Sequence, residues 1–177
     1  MAFLVRKLGK MDEIFSLLEE TNIQKVYADI PTTEFRSKNG TLSTWFINSL
    51  DDIDNAVLAI AVTSSDITKM DFIVIDTDIL EENSLEYKQT YAGQDIAIPD
   101  LQDTHYDIVG VTVEKLVACT RVYQRIVEQD PVGETYIIRY AAGQIKDLLR
   151  VAIKENRVDK SKASKKIKDQ LDKLKAG

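Results

Sequence analysis

Glu34-Phe35-Arg36-Ser37-Lys38-Asn39-Gly40-Thr41-Leu42-Ser43-Thr44-Trp45-Phe46-Ile47 is the stretch on which the fold class turns. Asn-Gly separates two β-prone runs, and a type I′ turn needs positive φ at both central residues, which Asn and Gly accept. The stretch predicts a β-hairpin with a strand on each side. Upstream, Phe3–Leu8 alternates like a strand, with Phe3 and Val5 on one face and Leu4, Arg6 and Leu8 on the other. Asp12–Glu20 places Ile14, Leu17 and Leu18 at helical spacing.

Downstream, Ser49 is placed to cap a helix whose first turn holds Asp51 and Asp52, charges that suit the positive end of its dipole. Ile53, Ala56, Val57, Ile60 and Ala61 form one face, while Leu58, Ala59 and Val62 fill other sides, so the helix is expected to be buried. A buried strand is the competing reading. Phe72–Ile75 is a short apolar run suited to a strand covered on both faces, and Ile96-Ala97-Ile98 before Pro99 reads as a short edge strand.

From residue 112 the pattern turns helical. Val113, Leu116, Val117, Thr120 and Val127 keep helix spacing to Glu128, with Cys119 in the packed part. Asp130-Pro131 reads as a cap followed by proline at the first helical position. The stripe Ile137, Ala141, Ile145, Leu148, Leu149, Ala152, Ile153 then predicts one helix to about Lys154, running straight through Tyr136–Tyr140. A last basic helix from about Ser161 to Lys175 presents Ala163, Ile167, Leu171 and Leu174, a thin stripe expected to dock weakly. The expected fold is α+β: a small sheet with the Asn-Gly hairpin packed with helices, then a C-terminal helical hairpin. Residues 1–157 form one domain and 158–177 a basic helical tail.

The 177 residues, 44% of them apolar, suffice for a core that needs no disulfide or metal. One cysteine makes no internal bridge, five residues before Arg6 are too few for a signal peptide's apolar segment, and no apolar run approaches a membrane span. A cytoplasmic address is expected. The net charge of −6 hides a split: residues 1–150 carry −11 and residues 151–177 carry +5. An acidic body disfavours nucleic acid and suits a basic protein partner, leaving the Lys-rich tail as the one segment for nucleic acid.

The catalytic candidates are few. Asp76 or Asp78 followed by Glu86-Tyr87-Lys88 has the composition of a metal-dependent nuclease, two carboxylates on Mg²⁺ and a lysine orienting water. It needs Glu86 and Lys88 on a strand beside the first, whereas Glu81-Glu82-Asn83-Ser84 suggests a turn and residues 85–90 are weakly β. Such short patterns arise easily by chance. His105 is the only histidine and reads as part of a turn or helix start. Leu8-Gly9-Lys10 lacks the rest of a phosphate loop, and nothing calls for a cofactor. Trp45 on the hairpin is a candidate partner anchor, with sheet packing the default, and Arg36 opposite it suits an acid or a ring.

Phe3-Leu4-Val5-Arg6-Lys7, Ala28-Asp29-Ile30, Asn39-Gly40-Thr41-Leu42-Ser43-Thr44-Trp45, Ala56-Val57-Leu58-Ala59-Ile60 and Phe72-Ile73-Val74-Ile75-Asp76 give the chain a cadence that resembles small uncharacterised bacterial accessory proteins of mobile-element or phage-defence gene clusters. The resemblance covers about residues 1–120. It implies an accessory role and no catalytic residue. The expectation is a non-catalytic accessory or antitoxin-like protein that binds another protein or a second copy of itself. Its partner surface is placed at Tyr136, Ile138 and Tyr140, which widen the apolar arc of the long helix, together with Trp45. The alternatives are a nuclease using Asp76, Asp78, Glu86 and Lys88, and a nucleic-acid protein using the tail.

Overall fold

Both faces of the strand Phe3–Leu8 (β1) are apolar, and this places it in the interior of a six-stranded sheet. The computed structural model describes residues 2–9, 11–18, 34–35, 39–91 and 96–176. Phe3 and Val5 enter one core, while Leu4 and Leu8 enter a second core on the opposite face. After β1 comes a short helix, Met11–Phe15 (α1), continued by a 3-10 turn to Leu18; residues 19 and 20 of the expected helix lie outside the described residues.

Leu42–Ile47 (β2) and Met70–Asp76 (β3) flank β1, both antiparallel to it. They are therefore parallel to each other, and the helix Ile53–Thr63 (α2) carries the chain across β1 between them. Every residue from Ala56 to Val62 is buried, so the helix is enclosed round its whole circumference. Thr77–Glu82 (α3) leads to Glu86–Gln89 (β4), which pairs with His105–Val109 (β5). Leu116–Gln129 (α4) leads to Ile137–Tyr140 (β6), followed by Ala142–Lys154 (α5) and Lys165–Ala176 (α6). The fold is α+β, with strand order β4-β5-β2-β1-β3-β6 and every pair antiparallel. Residues of α2, α5 and α6 build the first core; residues of α1, α3 and α4 build the second.

Several expectations are corrected. Asn39 and Gly40 have φ of 57° and 70°, as the turn requires, but no hairpin strand precedes them at Glu34, which is helical, or Phe35, which is in a turn. Arg36 and its neighbours to Lys38 lie outside the described residues. Glu34 is buried, with both carboxylate oxygens accepting the Gly9 N–H at 3.1 Å and its carbonyl accepting from Arg6 at 2.9 Å. Those bonds anchor this segment to the end of β1, and β2 pairs with β1 and β5 instead. Ile96-Ala97-Ile98 is not a strand but a buried bend, its backbone satisfied by Gln102 and by the Asp159 N–H.

The long helix through Tyr136–Tyr140 does not form. Ile137–Tyr140 is the edge strand β6, joined to β3 in the register Phe72↔Ile138. Asp130 does not start a helix with Pro131; it ends α4, and its carboxylate accepts the N–H groups of Glu134, Thr135, Tyr136 and Ile137 at 2.6–3.0 Å. Gly133 (φ 71°) allows that turn, and a Cβ there would lie 2.8 Å from the Phe15 ring. The helical hairpin expected at the C-terminus is thus a helix, an edge strand and a helix. Glu86-Tyr87-Lys88 is β after all. The basic segment is also more than a loose tail: Ile167 and Leu171 are fully buried in the first core, and Arg157 ties the segment's start to Asp100 and Asn55.

Candidate functional site

The margin formed by β4, β5 and β2 links polar side chains from neighbouring segments by hydrogen bonds. Alternation along β5 turns His105 and Asp107 to the same face, opposite Trp45 and Ser43 of β2. Thr90, just past β4, donates from its hydroxyl to Asp107 Oδ2 at 3.0 Å. That leaves its oxygen to accept from His105 Nδ1 at 2.9 Å, which assigns the ring proton to Nδ1. His105 Nε2 then accepts the Ser43 hydroxyl at 2.6 Å. The Trp45 indole closes the site, edge-on to the imidazole with ring centroids 5.0 Å apart. His105 is only 7% exposed, and the chain Ser43–His105–Thr90–Asp107 satisfies both its nitrogens. Chemically, His105 can draw the Ser43 proton. Mechanically, the same bonds fasten three strands together from within.

The outer side of this margin is an open edge. The Thr90 N–H bonds to the His105 carbonyl at 3.0 Å, so Lys88 and Glu86, two and four residues back, also face β5. The N–H and C=O groups of Tyr87 and Gln89 point away from it, and among the described residues they have no partner. Gln89 Nε2 reaches back to the Asp103 carbonyl at 2.6 Å. Tyr87 lies beside Tyr106, which stacks on Phe46, and Tyr91 is 65% exposed. At the start of β4 a cavity of about 590 Å³ is lined by Glu81, Ser84, Leu85, Glu86 and Tyr87. Its lining holds the carboxylates of Glu81 and Glu86, and the Lys115 ammonium donates to the Ser84 carbonyl at 2.7 Å.

Of the expected partner residues, Trp45 lies in this site and Tyr136, Ile138 and Tyr140 lie at the opposite margin of the sheet, at or beside β6. Trp45 is 4% exposed, inside the first core. Tyr136 packs against both cores, and Ile138 against the first. The Tyr140 hydroxyl donates to Asp54 of α2 at 2.7 Å, and its ring meets Phe72 edge-on. Burial, reinforced by the Asp54 carboxylate, raises the Tyr140 pKa. On the edge of β6 one outward backbone group is already taken. Since the Val74 N–H bonds to the Tyr136 carbonyl, the outward groups belong to Ile137 and Arg139, and the Ile137 N–H is taken by Asp130.

The nuclease residues are not brought together. Asp76 caps α3 through the Asp78 N–H, at the end of β3, while Glu86 and Lys88 are on β4, four strand positions away. At the usual strand spacing that separation is about 19 Å. Among the described residues no three His, Cys, Asp or Glu side chains converge as metal ligands, and no helix is long and apolar enough to cross a membrane. No family model, curated protein or solved structure matches this chain.

The Ser43–His105–Thr90–Asp107 chain is invisible to a sequence reading that takes His105 for a turn or helix start. The alternation His105-x-Asp107 is the signal that could have found it.

Proposed function

We propose that the chain is a non-catalytic accessory protein that binds another protein through the open edge of β4. The observation that supports this reading is the outward N–H and C=O groups of Tyr87 and Gln89, on a strand bonded from behind through Thr90 and His105. An edge fixed before binding loses little conformational entropy when a strand is added to it. The occupant that fits is an extended segment of another protein. Its alternate residues are apolar, to meet Tyr87 and Tyr91, and it carries a lysine or arginine for the Glu81–Glu86 cavity. The acidic body favours the approach of such a basic segment.

Proline substitution separates pairing from folding. Gln89→Pro removes an outward N–H, where an edge strand tolerates proline. Lys88→Pro removes an N–H that faces β5, and should lower the melting temperature. The Gln89→Pro chain should melt within a few degrees of the parent and lose the protein that co-purifies with it from its source cells. A folded Gln89→Pro chain that keeps the partner would sink the reading.

A further inference from the structure

On the first face, far from β4, α5 and α6 enclose a second cavity of about 440 Å³ with the segment before β3. Its lining is Asp66, Ile67, Lys146, Arg150, Gln170, Lys173 and Leu174. One wall is fixed by a closed set of bonds. Gln170 Oε1 accepts the Ile67 N–H at 3.1 Å, the Gln170 amide donates to Asp66 Oδ1, and Lys166 donates to Asp66 Oδ2 at 2.6 Å. The bonds from Lys166 and Gln170 hold the Asp66 carboxyl below its usual range, so it stays ionised and engaged with them.

The cations are differently placed. Arg150 pairs with Asp147 on its own helix. Lys146 and Lys173, one from each helix, line the cavity with no carboxylate partner among the described residues. The one carboxylate of the lining, Asp66, is already engaged by Lys166 and Gln170, so the lysines leave the cavity with a net positive charge. This is a local reversal of sign on a chain of net charge −6.

We propose that this cavity binds a compact oligophosphate, the group shared by nucleoside polyphosphates and inorganic polyphosphate. The volume lies in the range of small-molecule pockets, and each free lysine supplies a charge-assisted bond to a phosphate oxygen. Ile67 and Leu174 give the cavity an apolar side, where a base can rest. α6 belongs to the segment that carries +5, so a single-stranded nucleic acid is the competing ligand that the test must separate.

Titration calorimetry of the full chain at low salt tests this, with ATP, tripolyphosphate and a 20-nucleotide single strand as separate probes. The expected result is one site per chain for ATP or tripolyphosphate. Lys146→Ala with Lys173→Ala should weaken it about tenfold or more, as loss of charge-assisted bonds implies. Lys154→Ala with Lys162→Ala removes the same charge elsewhere and should leave affinity within about twofold of the parent. ATP bound more tightly than tripolyphosphate would assign the natural ligand to nucleotides, and equal affinity to polyphosphate itself. No binding by either, equal weakening in both double variants, or tighter binding of the strand than of ATP would overturn the proposal. Each variant's melting temperature is measured beside it. All four lysines lie outside the core, and a shared loss of stability would itself show that the Lys146 and Lys173 variant acts on folding.

Discussion

Asp130 shows how one residue can give a correct local signal and a wrong element. Asp-Pro promises a cap, and Asp130 is one, but it gathers four N–H groups of a turn that feeds a strand rather than opening a helix. Burial pushes its carboxyl up, yet the four donors outweigh this and its pKa lies below the ordinary carboxylate range. Because the folded value is depressed, the stabilisation is complete above the unfolded carboxylate range and is lost as pH falls through the folded value. Asp130→Asn should cost about 3 kcal/mol near neutrality, as loss of bonds to a buried charge does, with little further loss on acidification. A variant as acid-sensitive as the parent would place the effect elsewhere. Cys119 reads from sequence as core packing, and it is 2% exposed with burial pushing its thiol up to about 11. It should therefore resist alkylation at pH 8 until the chain is unfolded in denaturant. Rapid labelling of the native chain would contradict the packing.

At the scale of elements, strands with continuous apolar runs and the buried α2 are legible, because burial on all sides leaves a composition that needs no periodicity. β6 is not legible. Tyr136–Tyr140 fits both a helical stripe and a two-residue alternation, and pairing with Met70–Ile73, far away in sequence, decides between them. Asp71 and Arg139 complete that pairing with a two-pronged ion pair across the strands. Tyr136→Ala with Tyr140→Ala should therefore lower the stability of the monomer, since the bond to Asp54 and two ring contacts disappear. Chemical denaturation measures this directly, and a double variant as stable as the parent would return these tyrosines to a partner surface. The stripe of α6 looks too thin to dock because only four positions are apolar. Thinness in sequence says nothing of depth, and Ile167 and Leu171 are fully buried. Ile167→Ala should cost about 2–5 kcal/mol, and deletion of residues 158–177 should abolish cooperative melting. Unchanged melting after the deletion would show α6 to be dispensable.

Over the whole molecule, α+β class and the charge split can be read from the chain, while the order of strands, with β1 in the interior, cannot. Nothing local in Glu86-Tyr87-Lys88-Gln89 says that it ends the sheet on the side opposite β6, and only that placement makes it an open edge and separates it from Asp76. The proposed function requires that a partner add its strand at that edge. Backbone amide exchange, read residue by residue on the isolated chain and on the complex with its co-purified partner, measures this. The Tyr87 and Gln89 amides should exchange rapidly in the isolated chain and become protected in the complex, with Lys88 protected in both. Protection that appears elsewhere, with Tyr87 and Gln89 unchanged, would contradict it.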